Sequence, residues 1–435
     1  MNILLIGSGG REHAFAVKIM DSLNCSQLYV APGNAGTSAI AENVPLAVTD
    51  FDGIKEFILS RHIDMVVVGP EEPLVKGIRD FLAKEPDTKN VVVVGPSQEG
   101  AALEGSKDFS KQFMARNGIP TAAYQSFTKD TVDDGLAFIR AQRLPIVLKA
   151  DGLAAGKGVL ILETYEEAEQ ALKEMLLESK FGVASSKVVV EEYLSGIELS
   201  VFVATDGMDY KILPEAKDYK RIGEQDTGLN TGGMGAVSPV PFADQAFMQK
   251  VEEKIVKPTV AGLRKEGIDY KGFLFIGLMN VEGNPWVIEY NVRMGDPETQ
   301  AVLPRIKSDF VGLLHAIGTK NLATYSLEID PGATATVVMV AGGYPGSYNK
   351  GDKIKGLDSP THKSTFTFHA GTQSDEEGNV LTNGGRVLGI TGKGANIKEA
   401  ITHAYERVSQ ISWDGHYYRK DIGQDILRYD VKVPT

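Results

Sequence analysis

The stretch Val147-Leu148-Lys149-Ala150-Asp151-Gly152-Leu153-Ala154-Ala155-Gly156-Lys157-Gly158-Val159 decides how the chain is read. An apolar run delivers Lys149, a segment rich in small residues carries Lys157, and an apolar run resumes at Val159. The Walker A order G-x-x-x-x-G-K-[ST] is absent, because Gly158 stands where Ser or Thr would be. A Gly/Ala loop between two strands can instead fold over the phosphates of a nucleotide, with backbone N–H donors and lysine ammonium groups neutralising the charge. A plain surface hairpin has no need of so many small residues. The loop 151–158 is therefore expected to act as a lid over phosphates.

Two stretches downstream extend this reading. In Val188-Val189-Val190-Glu191-Glu192-Tyr193-Leu194-Ser195-Gly196-Ile197-Glu198 a buried strand runs into a short acidic connection. Backbone groups there can hold an adenine edge, and Glu198 a ribose; an exposed acidic turn is the plain alternative. In Trp286-Val287-Ile288-Glu289-Tyr290-Asn291-Val292-Arg293-Met294-Gly295-Asp296-Pro297-Glu298-Thr299-Gln300 the strand period puts residues 289, 291 and 293 on one face. A carboxylate, an amide oxygen and a guanidinium pack poorly in a core. They suit Mg²⁺ and a phosphoryl group, since Mg²⁺ takes one or two protein oxygens together with nucleotide phosphates.

Further out, residues 1–103 alternate β-branched runs at 3–6, 28–30, 65–68 and 91–94 with helical patterns. That alternation predicts a parallel sheet covered on both faces, with ligands beyond the carboxyl ends of its strands. Those ends carry Gly7-Ser8-Gly9-Gly10-Arg11-Glu12, Ala31-Pro32-Gly33-Asn34-Ala35-Gly36-Thr37 and Gly69-Pro70-Glu71-Glu72-Pro73. The first invites a dinucleotide fingerprint, but Glu12 occupies the third glycine position and no acidic residue ends the second strand. A phosphate or ribose site lined by backbone N–H groups and Arg11 is the better reading. From 104 onward the pattern becomes α+β: a helix over 106–117, strands at 146–149, 158–162, 187–192, 198–204, 273–281 and 286–291, and a helix over 165–178. A last segment, 327–435, holds strands at 333–341, 364–370 and 387–390. A helix follows whose apolar stripe is Ile397, Ala400, Ile401, Ala404, Val408 and Ile411.

The whole chain has 435 residues, of which 45 are Lys or Arg and 57 Asp or Glu, a net charge of −12. Its length suits about three domains and a sizeable core. An acidic chain with no basic block is a poor binder of nucleic acid or membrane surfaces. A lone Cys25 excludes an internal disulfide and a multi-cysteine metal site. No H-E-x-x-H or similar pair appears, so no zinc site is expected. The opening Met1-Asn2-Ile3-Leu4-Leu5-Ile6-Gly7 lacks a basic leader region, and no apolar run reaches membrane-spanning length, which predicts a cytoplasmic protein. The 47 glycines gather in short loops.

Taken together in this order, the motifs resemble the ATP-grasp superfamily and, within it, the phosphoribosylamine–glycine ligase family. Carrying the resemblance are Arg293-Met294-Gly295-Asp296-Pro297-Glu298-Thr299-Gln300, Asn230-Thr231-Gly232-Gly233-Met234-Gly235-Ala236 and the three N-terminal turns with their flanks. It implies an ATP-grasp fold, α/β and α+β in class. An N-terminal parallel-sheet, Rossmann-like domain would span 1–103, an ATP-grasp domain 104–326 with a mobile ATP-binding subdomain at 124–190, and a C-terminal α+β domain 327–435. It implies ATP-dependent ligation of glycine to 5-phosphoribosylamine through glycyl phosphate, in purine biosynthesis, with Mg²⁺ or Mn²⁺.

By motif, Lys107, Lys149, Asp151, Gly152, Gly156, Lys157 and Gly158 would meet the nucleotide phosphates. Glu191, Tyr193 and Leu194 would sit at the adenine hinge and Glu198 at the ribose. Glu289 and Asn291 would be the metal ligands, with Lys149 and Arg293 stabilising the transferred group. Many superfamily members add a carboxylate on the preceding strand, where this chain has Gly277. Substrate contacts are expected from Gly9, Gly10, Arg11, Glu12, Asn34, Glu71, Glu72, Lys217, Asp226, Asn230, Gly233 and Asp296. The partners implied are small molecules, with the chain a monomer or weak dimer. The alternatives are another ATP-grasp carboxylate–amine ligase and a non-catalytic nucleotide-binding module.

Overall fold

The computed structural model describes residues 1–153, 158–178, 182 and 186–429. Five parallel strands open the chain, in the spatial order Glu42–Asn43, Gln27–Pro32, Asn2–Gly7, Met65–Val68, Val92–Val94. The expected parallel sheet is present, and the side-chain period of two sorts it between two cores. Leu4, Ile6, Val66 and Val68 pack on one side with Ile54 and Ile58 of helix Phe51–Arg61. Ile3, Leu5, Met65 and Val67 pack on the other with Phe15 of helix Gly10–Met20 and with Leu313 and Leu314 of helix Phe310–Thr319. A sheet with both faces buried leaves only its strand ends for ligands, where Gly7 is level with Pro32 and the preceding Ile6 with Val68.

The segment 124–192 builds a separate antiparallel sheet in the order Tyr124–Thr128, Lys187–Glu192, Ile146–Ala150, Val159–Leu162. Helices Val132–Ala141 and Tyr165–Leu177 supply Ile139, Leu172 and Met175 to a core closed by Phe127, Leu148 and Val190. A third sheet runs Tyr210–Ile212, Ile197–Thr205, Gly272–Val281, Asn284–Asn291. Its last two strands are joined by Glu282 and Gly283, both at positive φ (49° and 78°), the backbone of a tight hairpin whose twist matches the strands.

The fourth sheet is antiparallel, in the order Lys217–Asp218, Gly235–Ser238, Ala333–Val340, Arg386–Gly394, Thr365–His369. Helix Ile397–Val408 lays its stripe Ile397, Ala400, Ile401, Ala404 and Val408 on this sheet, and Ile411 is buried just beyond the helix. Two of the five strands come from 217–238, so the glycine-rich loop between them is held against the C-terminal segment. Among the described residues no helix is long and apolar enough to cross a membrane.

Candidate active site

Strand Ile146–Ala150 delivers Lys149 into the interior, where it is 5% exposed. Its Nζ lies 3.0 Å from the Glu191 carboxylate and donates to the Ile288 carbonyl at 3.2 Å, next to Glu289. Lys107 opens helix Lys107–Arg116, capped by Ser106, whose Oγ accepts from Phe109 N–H. Asp151 is tied to that helix start: its carboxylate accepts from Ser106 Oγ at 3.0 Å and from Asp108 N–H at 2.8 Å. Lys107 Nζ donates to the Gly152 carbonyl at 3.2 Å. Lys107, Lys149, Asp151 and Gly152 are thus brought to one place. Gly158 is described beside strand Val159–Leu162, its carbonyl accepting from Ala150 N–H at 2.8 Å, whereas Gly156 and Lys157 lie outside the described residues.

Glu191 is buried near the end of strand Lys187–Glu192, and Tyr193 just past it is 42% exposed, followed by half-buried Leu194. Glu198, on strand Ile197–Thr205, is ion-paired with Lys220. Glu289 and Asn291 end strand Asn284–Asn291, and Arg293 Nη2 donates to Asn291 Oδ1 at 3.3 Å, so the face predicted for these residues is shared. Burial would raise the Glu289 pKa, but Lys220, Lys149, Lys107 and Arg293 outweigh it and hold this carboxyl below its usual range. Each of these cations also engages another group: Lys220 with Glu198, Lys149 with Glu191, Lys107 with the Gly152 carbonyl, and Arg293 with Glu104 at 2.7 Å and Glu71 at 3.4 Å. Burial, the largest influence, lowers the Lys107 pKa even against the nearby Glu289.

A charged carboxylate ringed by cations from separate elements is an arrangement for bringing several phosphate charges together. Its donor set of one carboxylate and one amide oxygen suits a hard divalent cation that keeps phosphate or water in its shell. Gly277 lies directly across from Glu289 in the strand ladder, and a Cβ there would meet Glu289 Cγ at 3.3 Å. No second carboxylate occupies that position, and no group of three or more His, Cys, Asp or Glu suited to a metal occurs among the described residues.

The N-terminal turn is arranged differently from a free phosphate cradle. Glu12 is 2% exposed; its Oε2 accepts from Gly9 N–H at 2.6 Å and its Oε1 from Arg11 Nε at 2.5 Å. Arg11 N–H donates to Asp296 Oδ2 at 3.2 Å, and the Arg11 guanidinium reaches the Met294 carbonyl at 3.1 Å. Two carboxylates therefore occupy this helix start, and Arg11, itself held by Glu12, ties the first helix to the segment 294–296. Gly10 packs against Gln300. Beside the turn opens a cavity of about 310 Å³ lined by Ser8, Gly9, Asn34, Asp296, Tyr344 and Arg386, among others. Asn34 also caps a short helix through Gly36 and Thr37 N–H and donates to the Ser8 and His369 carbonyls.

The other expected substrate contacts are more scattered. Glu71 faces Arg293, while Glu72 pairs with Lys76 at 2.8 Å on the surface. Lys217 pairs with Asp425 at 3.1 Å and sits 3.7 Å from the Tyr219 ring centroid. Asp226 holds buried Arg419 at 2.7 Å, and Asn230 is exposed opposite Arg221. Gly233, at φ 118°, lies where a Cβ would come within 2.4 Å of Pro297, so a side chain there would push the loop off the 296–297 turn.

Sequence reasoning did not single out Glu104, Lys111 or Arg386. Glu104 accepts from Val292 N–H and from Arg293, and burial pushes its carboxyl up. Arg386 Nη1 donates to the carbonyls of Gly232 and Asp296, both at 2.6 Å. Glu104 and Lys111 read as ordinary helix charges; the only signal for Arg386 was the glycine turn before it.

Comparison with known proteins agrees across the chain. The N domain of phosphoribosylglycinamide synthetase matches residues 1–104, its ATP-grasp (A) domain residues 105–299 and its C domain residues 334–425. The chain is 48% identical over 426 residues to the phosphoribosylamine–glycine ligase of Vibrio vulnificus, covering 97% of this chain and 98% of that protein. It is 47% identical to that of Escherichia coli K12 over the same shares. The crystal structure of the Thermotoga maritima phosphoribosylamine–glycine ligase superposes with a TM-score of 0.84 at 34% identity, covering 97% of this chain and all of that one. A biotin carboxylase domain from Hydrogenobacter thermophilus, 16% identical, shares the fold with a TM-score of 0.74 over 99% of this chain and 94% of that one. The chain belongs to the phosphoribosylglycinamide synthetase family.

Proposed function

We infer that the chain is an ATP-dependent ligase of purine biosynthesis, joining glycine to 5-phosphoribosylamine to give glycinamide ribonucleotide, ADP and phosphate. A carboxylate is a poor acyl donor because its oxygen will not leave. Attack of a glycine carboxylate oxygen on the γ-phosphorus releases ADP and makes glycyl phosphate. The amine nitrogen then attacks the acyl carbon, phosphate departs, and a proton is lost from nitrogen. In such transfers the protein positions the reactants and neutralises charge.

The observation that carries the reading onto this chain is the convergence of Lys107, Lys149, Lys220 and Arg293 on Glu289. In this assignment Lys107, Lys149 and the 151–158 loop neutralise the phosphates, and Arg293 with Lys149 stabilises the group in flight. Glu191, Tyr193 and Leu194 flank the adenine and Glu198 the ribose. Glu289 and Asn291 would hold Mg²⁺ or Mn²⁺, which when bound neutralises phosphate oxygens. The cavity beside Gly9, Asn34 and Asp296 takes the phosphoribosyl group, with Arg386 at its wall. Arg11 and Glu12 act by fixing that wall. The division into 1–103, 104–326 and 327–435, a cytoplasmic location, and a monomer or weak dimer complete the proposal.

A substrate-omission assay tests it. ADP release should require ATP, a divalent cation, glycine and phosphoribosylamine together, with slow leakage when the amine is left out, because an acyl phosphate forms productively only in a closed site. Rapid ADP release with ATP alone overturns the reading.

A further inference from the structure

Glu191 is claimed by two lysines. Lys149 Nζ stands 3.0 Å and Lys111 Nζ 3.2 Å from the same oxygen, Glu191 Oε2. All three residues are buried, at 5%, 2% and 3% exposure for Lys149, Lys111 and Glu191. The other carboxylate oxygen, Oε1, is buried with no hydrogen-bond partner among the described residues. Lys111 lies one helical turn beyond Lys107 on helix Lys107–Arg116. It is pinned in place: its ammonium donates to Thr121 Oγ1 at 2.7 Å and to the Ala122 carbonyl at 3.4 Å, and sits 5.5 Å from the Tyr124 ring centroid.

The two ammonium groups differ in what else they can do. Lys149 also reaches the carbonyl beside Glu289, toward the cluster assigned to the nucleotide phosphates. Were Lys149 the sole partner of Glu191, drawing it to a phosphate would strand a buried carboxylate, and breaking a buried pair from one side is strongly unfavourable. A second, fixed cation removes that obstacle.

We propose that Lys111 is a positioning residue that keeps Glu191 neutralised while Lys149 leaves it for the phosphates of ATP. This rests on the assignment of Lys149 to the phosphates. Lys111 itself touches neither nucleotide nor substrate; it sets how freely Lys149 transfers.

The arrangement carries a pH signature. Facing Lys111 are Glu191 and Glu192 from one strand, Lys149 from the next and Tyr124 from the strand on the other side. Burial, reinforced by Lys149, pushes Lys111 down to about 8 against the pull of the two glutamates. Below that pH Lys111 is charged and Glu191 has two cations. Above it Lys111 is neutral, Glu191 depends on Lys149 alone, and ATP must take Lys149 from it. Because kcat/KM reports the free enzyme, kcat/KM for ATP should be level up to about pH 8 and then fall.

The test uses the full chain with saturating glycine and phosphoribosylamine, and ADP binding by calorimetry as a second readout. Lys111→Met should raise KM for ATP at least tenfold and leave KM for glycine unchanged. Lys111→Arg, whose charge does not titrate in this range, should restore ATP affinity and hold kcat/KM for ATP level past the pH at which the wild type falls. Wild-type KM for ATP in a folded Lys111→Met protein overturns the proposal. So does an alkaline fall at the same pH in Lys111→Arg, or its absence in the wild type, which needs no variant. Lys149→Met separates the two ideas. If it weakens ATP while Lys111→Met does not, the role of Lys111 alone falls; if it leaves ATP unaffected, the phosphate assignment of Lys149 falls as well.

Discussion

The backbone N–H of His369 donates to Nδ1 of His13 at 2.7 Å, and the two rings meet edge to face with centroids 5.4 Å apart. This bond joins the first helix to strand Thr365–His369, across the wall of the cavity that holds Asn34 and Arg386. Nδ1 accepts only while it carries no proton, so the contact requires a neutral His13.

Burial, aided for His13 by the facing His369, pushes His13 down to about 3 and His369 down to about 4. An unfolded histidine titrates near 6.5, so below that pH the unfolded chain takes up protons that the folded one refuses. The stability these rings contribute is complete above about pH 6.5 and is lost as pH falls toward their folded values. For His13 alone the loss between pH 6.5 and 5 is about 2 kcal/mol. Urea unfolding at both pH values should show it in the wild type. His13→Gln, whose amide oxygen can still accept from His369, should show a smaller loss; equal losses in the two proteins would remove the linkage.

Glu12→Ala should be among the more destabilising single changes. It leaves Arg11 buried beside an empty space and frees Gly9 N–H. Removing one partner of a buried ion pair costs about 3–5 kcal/mol. Glu12→Gln keeps the shape and one acceptor, and should lose less. Melting temperatures of the three proteins decide; an alanine variant as stable as the wild type would mean the pair is not structural.

How much of this could be read from sequence depends on how local each signal is. The parallel sheet was legible because Ile3–Ile6 and Met65–Val68 are continuous β-branched or aliphatic runs, which only a strand buried on both faces tolerates. Glu289, Asn291 and Arg293 were legible because the strand period alone puts them on one face. At the N-terminal turn the sequence shows the N–H groups of Gly9 and Arg11 but not the carboxylates that accept from them, which come from Glu12 and, 285 residues beyond Arg11, from Asp296. Nothing near Arg386 or Lys111 announces that one meets the 232–233 loop and the other Glu191. Long-range pairing of single charges leaves no period to detect.

Arg386 should govern the amine substrate. Two of its bonds fix backbone carbonyls, its Nη2 lies 3.5 Å from Asp296 Oδ1, and its side chain borders the cavity. Arg386→Ala is expected to raise KM for phosphoribosylamine roughly tenfold or more, about 1.4 kcal/mol, with KM for ATP unchanged. Arg386→Lys should recover only part, because one ammonium cannot span both carbonyls and the cavity. Initial rates with phosphoribosylamine generated in situ measure this. A rise confined to KM for ATP would move the phosphoribosyl group out of this cavity.

Glu289→Gln and Asn291→Ala test the centre of the assignment. Glu289 has no ion pair within 4.0 Å among the described residues, yet four cations hold it charged. Its charge faces the space between them, where the proposed metal and phosphates would lie. Glu289→Gln keeps the side-chain shape and should leave the melting temperature within a few degrees of the wild type. Turnover should fall by roughly two orders of magnitude, about 2.7 kcal/mol of transition-state stabilisation. Asn291→Ala removes an oxygen and also the acceptor for Arg293 Nη2, so its turnover should fall at least as far. Both variants should need more Mg²⁺ for half-maximal rate, since each loses one hard oxygen from a site that has few. Melting curves and Mg²⁺ titrations at saturating substrates separate the outcomes. Near-wild-type rates at low Mg²⁺ in both variants would show that this face of the strand does not serve the metal.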